Sequence, residues 1–237
     1  MNPSSVTQVA HESGKEDSIS VQAALLLLTF STGLIDAVSF LGLGHVFTAN
    51  MTGNIVFLGF AAAGAPGLSI FRSLASLGMF LLGGLAGGRL AKAMASHAIP
   101  QWLVTAVLTE AGLLLAAALA AIGFDISSGN PVSSVYAVIA LTALAMGLRN
   151  ATVRRLAVPD LTTTVLTLTL TGIAADSSLA GGGNLRITRR LASVGLMFAG
   201  AAAGALLLRF GLAVPLAVSG GIALLAAALF SATAPSR

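Results

Sequence analysis

The chain has 237 residues, of which 56% are hydrophobic and only 8% charged, with a mean hydropathy of +0.95 and a formal net charge of +4. Soluble domains carry about a quarter charged residues, so this composition is that of an integral membrane protein. The absence of cysteine excludes disulfides, thiolate metal sites and cysteine nucleophiles; His11, His45 and His97 lack metal-ligand spacing, and no metal or cofactor is expected.

The polar head, Met1 to Ser20, sets Glu12, Glu16 and Asp17 against Lys15 and has no basic n-region, so it reads as a short disordered tail and not as a cleaved signal. Eight apolar stretches follow: Val21–Leu43, Phe47–Gly64, Phe71–Ala91, Trp102–Phe124, Val132–Leu148, Leu161–Leu179, Leu191–Leu208 and Leu212–Ala232. A helix needs about 20 apolar residues to cross the hydrocarbon core. By that measure the second and sixth stretches are weak, because each carries a polar run.

The first stretch contains Asp36. An acid inside an apolar segment costs roughly 2.5–3.5 kcal/mol on insertion scales, so it faces a partner or a cavity. The readings are a cation or proton site, or a pair with Arg149 or Asn150 that locks two helices. Asn50, Thr52 and Asn54 then open the second stretch around Gly53. A glycine-broken half-helix presents free N–H groups and a positive dipole end, suited to anions or dipolar solutes. The same amides and hydroxyls could equally clamp neighbouring helices.

Gly83 and Gly87 in the third stretch form a small-xxx-small pair, echoed by Gly200 and Gly204 in the seventh. Such pairs let helix backbones approach closely, either at the repeat partner or in a homo-oligomer. Glu110 in the fourth stretch is either a proton-coupling carboxylate or a protonated acid bonded to a neighbouring helix. The sixth stretch is studded with threonines, Thr163 and Thr167 among them, and ends near a solvated Asp176. Arg154-Arg155 and Arg189-Arg190 read as headgroup anchors, and Trp102 as an interfacial one. Gly181-Gly182-Gly183 lacks the Lys-Ser/Thr of a phosphate loop and reads as a linker.

The chain echoes itself in order. Gly33-Leu34-Ile35-Asp36-Ala37 returns as Gly147-Leu148-Arg149-Asn150-Ala151, and Leu74–Phe80 returns as Leu191–Met197. Two homologous halves, residues 21–124 and 132–232, form one membrane domain. If all eight stretches cross (4+4), the twelve basic residues divide about evenly between the two sides. If the second and sixth enter and leave on one side, only Arg72 and Arg209 oppose the rest. The positive-inside rule favours this inverted 3+3 arrangement, an all-α polytopic bundle with both termini cytoplasmic.

The runs from Thr32 to Gly59 (T-G-x-I-D-A-x-S-F-L-x-L-G-x-V-F-T-A-N-M-T-G-N-x-V-F-L-G) and from Gly147 to Leu156 (G-L-R-N-A-x-V-R-R-L) resemble the signature of the YoaK family. That resemblance implies a bacterial inner-membrane protein with about six crossings of ~20 residues each and no established activity. It supplies no catalytic residues. Thr167-Leu168 stands where the family pattern leads one to expect Thr-Gly. The functional expectation is a small-solute or ion transporter or channel with Asp36, Asn50, Thr52, Asn54, Glu110, Arg149, Asn150, Thr163 and Thr167 along its path. The alternative is a non-transporting scaffold or accessory subunit that uses the glycine faces and basic loops to hold partners. No Ser-His dyad or zinc motif supports an enzyme.

Overall fold

The computed structural model describes residues 3–156, 166–184 and 186–232. Its elements are the helices α1 (Pro3–Gly42), α2 (Met51–Ala62), α3 (Ile70–Ala93), α4 (Ile99–Ala120), α5 (Val132–Leu156), α6 (Leu166–Ala175), α7 (Ile187–Leu207) and α8 (Ala213–Ala232). Six of them contain an apolar stretch long enough to cross a membrane, that of α1 being Ser20–Gly42. α2 has 12 residues, and α6 has 10 among the described residues. At 1.5 Å per residue they reach about half of a ~30 Å hydrocarbon core. The protein is a multi-pass membrane helix bundle.

Two buried clusters define the ends of the bundle. One gathers the start of α1 (Ala24, Leu25), the end of α3 (Ala91), the start of α4 (Trp102, Leu103) and the ends of α5 (Val153) and α8 (Phe230). The other gathers the end of α1 (Val38), the end of α4 (Ala121), the start of α5 (Val135) and the start of α8 (Leu212, Leu216). The start of α1 thus shares an end with the close of α3. That requires one crossing each way and a segment between them that returns to the side it entered. Eight crossings would put those two termini on opposite ends, so that alternative is excluded.

The bundle is held by two seams of parallel helices in which glycine is obligatory. A Cβ on Gly83 would strike the Leu144 carbonyl, and one on Gly147 the Phe80 carbonyl, so α3 and α5 touch backbone to backbone. In the other seam a Cβ on Gly200 would strike the Phe30 carbonyl and one on Gly33 the Met197 carbonyl, joining α1 to α7. Without a hydrophobic force between helices in lipid, such close approach is what holds them together. Two expectations are corrected here. The third crossing meets α5 rather than its echo α7. Gly83, Gly87, Gly200 and Gly204 are buried inside the chain, so they offer no face to a second copy.

Arg149 also changes place. α5 continues past Leu148 to Leu156, carrying Arg149 into the interior at 2% exposure, so it is not one of the flanking charges. Arg89, Lys92, Arg154, Arg155 and Arg186 remain at the end where α1 starts and α3 and α5 finish. Arg72 and Arg209 sit at the other end.

Candidate functional site

The link from α1 to α2 is built to bring polar backbone into the bundle. α1 stops at Gly42-Leu43-Gly44, and Gly44 takes φ +81°, a left-handed turn that glycine adopts without strain. Arg72 at the start of α3 donates from Nη1 to the Leu43 carbonyl (3.2 Å), satisfying a terminal acceptor of α1. The chain then folds back along α1. Phe47 stacks on Phe40 (centroids 5.2 Å) and Phe57 (5.6 Å), which shields this irregular stretch.

Asn54 fixes that stretch from inside. It is fully buried; its Oδ1 accepts from the Phe47 N–H (2.9 Å), and its Nδ2 donates to the Phe47 carbonyl (2.5 Å) and to Ser76 Oγ on α3 (3.2 Å). Ser76 Oγ donates to the same carbonyl (2.6 Å). Of the two readings of Asn54, its contacts are those of the interhelical clamp. An irregular backbone at membrane depth needs such partners, since each unsatisfied group there costs several kcal/mol.

Asp36 is 8% exposed, and its Oδ1 accepts the Ala49 N–H (3.2 Å), one residue before the N-cap of α2. Asn50 is that N-cap, its Oδ1 accepting the Gly53 N–H (3.2 Å). Asp36 therefore lies against the positive end of the α2 dipole, about half a unit charge. The expected pairing of Asp36 with Arg149 is corrected by the contacts of the guanidinium.

Arg149 instead forms an ion pair with Glu110 of α4 through Nη2, with both side chains about 1% exposed. Its Nη1 donates to the Leu28 carbonyl and to Thr32 Oγ1 (2.9 Å each), and its Nη2 to Ser31 Oγ (3.1 Å). A guanidinium this deep is tolerable only with its charge balanced; its Nη groups find four acceptors here, while its Nε–H has none among the described residues. The knot ties α1, α4 and α5 together. Glu110 and Arg149 line a small void of about 10 Å³ and are not among the residues that line the larger cavity, which the knot reaches through Thr32.

A cavity of about 670 Å³ lies next to this knot. Its walls include Thr32 and Asp36 of α1, the start of α2 (Asn50, Thr52, Gly53), and Leu166 and Thr167 at the start of α6. The two short helices come from opposite ends of the bundle. α2 leads out to the start of α3. α6 leads to the start of α7, where Arg190 of α7 donates to the Gly172 carbonyl (2.6 Å) and pairs with Asp176 (2.7 Å). Asp176 is thus ion-paired rather than simply solvated. The N-terminus of α2 and the first described residues of α6 face one polar chamber.

The structure accordingly brings Asp36, Asn50, Thr52 and Thr167 together and separates the other candidates. Asn54 backs the wall, and Glu110 with Arg149 lies behind Thr32. Asn150 donates to the Met146 carbonyl (2.8 Å) and faces a groove between α3 and α5. Thr163 lies outside the described residues. Thr32 was missed. It stands one helical turn before Asp36 and joins the chamber to the ion pair, a spacing legible in the sequence once Asp36 is singled out.

Comparison with known proteins gives a consistent picture. A family profile described as "Protein of unknown function (DUF1275)" matches residues 24–229. The chain is 32% identical over 154 residues to "UPF0700 transmembrane protein YoaK" of Bacillus subtilis (strain 168), a match that covers 65% of this chain and 66% of that relative, slightly under two thirds of its length. No solved structure matches.

Proposed function

The chain belongs to the DUF1275 family, and within it we propose that this protein is a small-solute or ion transporter or channel whose pathway runs through the chamber between α2 and α6. The observation that carries this reading is the meeting of the α2 N-terminus and the first described residues of α6, two short helices from opposite ends of the bundle, in a cavity that also holds Asp36. Discontinuous helices arranged in this way recur where membrane proteins bind solutes near the bilayer midplane. One carboxylate set against the α2 N-terminus, about +0.5 charge, leaves the chamber partly balanced. That balance suits a dipolar solute, or an anion taken up once Asp36 is neutral.

The two halves read as inverted repeats. Gly33 on α1 opposes Met197 as Gly147 on α5 opposes Phe80, and Gly200 opposes Phe30 as Gly83 opposes Leu144. The same correspondence matches Asp36 with Asn150, so the halves are not chemically equal. With the basic end on the cytoplasmic side of a bacterial inner membrane, both termini are cytoplasmic. Of the glycines a scaffold would use, Gly83, Gly87, Gly200 and Gly204 are spent on internal seams. This reading assigns no catalytic group.

The chain contains no cysteine, which makes an accessibility test direct. Thr52→Cys and Thr167→Cys should react with a small water-soluble methanethiosulfonate in reconstituted vesicles. Phe198→Cys, at a position 76% exposed on the apolar surface of α7, should not. Protection of both chamber positions to the level of Phe198→Cys would remove the water-filled path.

A further inference from the structure

We propose that the groove between α3 and α5 is a binding site for one anionic phospholipid, with an acyl chain along Gly84, Gly88 and Gly147 and the phosphate at Arg154 and Arg155. The groove encloses about 1040 Å³ on the apolar flank of the bundle. A Cβ on Gly88 would meet nothing within 4 Å, and one on Gly84 only the Gly147 carbonyl at 3.9 Å. These glycines, unlike Gly83 and Gly87, are not needed for helix contact. Their missing side chains leave a furrow, and Leu81, 69% exposed, forms one bank. From Phe80 to Ala91 it runs about 16 Å at 1.5 Å per residue, roughly one leaflet of a ~30 Å core.

The furrow ends on two arginines that are exposed and, among the described residues, unpaired with any carboxylate. A second pocket of about 260 Å³ adjoins there, sharing Ala91 and Arg155 and lined by Trp102. The Arg155 guanidinium sits 5.7 Å from the centroid of the Trp102 ring. Trp102 is only 6% exposed, yet its Nε1–H has no acceptor. A buried indole N–H normally finds one, but this atom is shut off from the pocket, so at this end it is the exposed Arg155 guanidinium that meets a lipid phosphate. The occupant that matches a long apolar furrow ending in cations at the membrane boundary is an anionic lipid of that leaflet.

The sister seam lacks these features. By the same glycine correspondence, Ala201 and Ala205 of α7 stand where α3 has Gly84 and Gly88. Phe40 and Leu41 of α1 stand where α5 has Arg154 and Arg155. One seam has been filled and made apolar, while the other has been emptied and charged.

Trp102 is the sole tryptophan of the chain, so its fluorescence reports on this place alone. Protein in nanodiscs is titrated with brominated phosphatidylglycerol or brominated phosphatidylcholine. The phosphatidylglycerol should quench Trp102 at a mole fraction on the order of ten- to thirty-fold lower, given two arginines at the headgroup. Arg154→Gln with Arg155→Gln should equalise the two lipids, and Gly88→Leu should weaken quenching by both. Equal quenching of the unaltered protein would overturn the proposal, and that measurement requires no variant to fold. A preference that survives loss of both arginines, or quenching unmoved by Gly88→Leu, would overturn it as well.

Discussion

Replacing Glu110 by alanine is expected to cost the bundle about 3–5 kcal/mol, because it strands a guanidinium in the interior without its counter-charge. Arg149 is 2% exposed and cannot reach water without breaking the contacts of α5 with α1 and α4. Its remaining partners, the Leu28 carbonyl, Ser31 and Thr32, are neutral and supply no compensating charge. Since folded proteins are stable by only about 5–15 kcal/mol, such a loss should appear as a sharp drop in properly assembled protein. The double replacement Glu110→Leu with Arg149→Met should recover most of the stability, as apolar groups of similar size often match or exceed a buried pair. Unfolding in mild detergent measures both. A Glu110→Ala midpoint equal to that of the unaltered protein would mean that the ion pair does not hold the bundle.

Asp36 is expected to behave differently. Its carboxylate accepts a backbone N–H from Ala49, which an amide oxygen can also accept, so Asp36→Asn should assemble. Removing Arg149 at the same time should therefore rescue nothing.

Gly83→Ala is expected to part α3 from α5, since the added methyl meets the Leu144 carbonyl at a distance no side-chain rotation relieves. Overpacking costs about 1–3 kcal/mol where flexible groups can yield, and backbone against backbone falls at the upper end. Gly200→Ala should act equally on the α1–α7 seam through the Phe30 carbonyl. Gly78→Ala, five residues before Gly83 on the same helix, meets nothing within 4 Å. It should be neutral or stabilising by about 0.5–1 kcal/mol through helix propensity. Thermal unfolding of the three variants side by side decides the matter, and a Gly83→Ala protein as stable as Gly78→Ala would contradict the seam.

Much of this architecture is legible in the sequence because lipid imposes few solutions. Length and hydropathy separate six crossings from two short segments, and the spacing of arginines selects the re-entrant topology before any coordinate is known. The polar starts of the short segments mark the chamber, since hydrogen-bonding residues are too costly in lipid to stand there without a partner. Pairing is harder to read. Arg149 follows an apolar stretch and precedes Arg154-Arg155, so it resembles a flanking charge until α5 is seen to run through it. Its partner Glu110 lies 39 residues earlier on another helix, beyond any local periodicity. Asn54 carries two readings in the sequence for a different reason. On a short helix with apolar residues on every side, nothing in the pattern distinguishes the face toward the chamber from the face toward α3.

Two helix stubs that enter the bilayer from opposite surfaces are the claim on which the rest depends. It is tested most directly by placing single cysteines at Pro66, beyond α2, and at Gly183, beyond α6, where an added Cβ meets nothing within 4 Å, and labelling each from either side of the membrane. Pro66→Cys should react only from the outer side and Gly183→Cys only from the inner. Labelling of both from the same side would contradict the account.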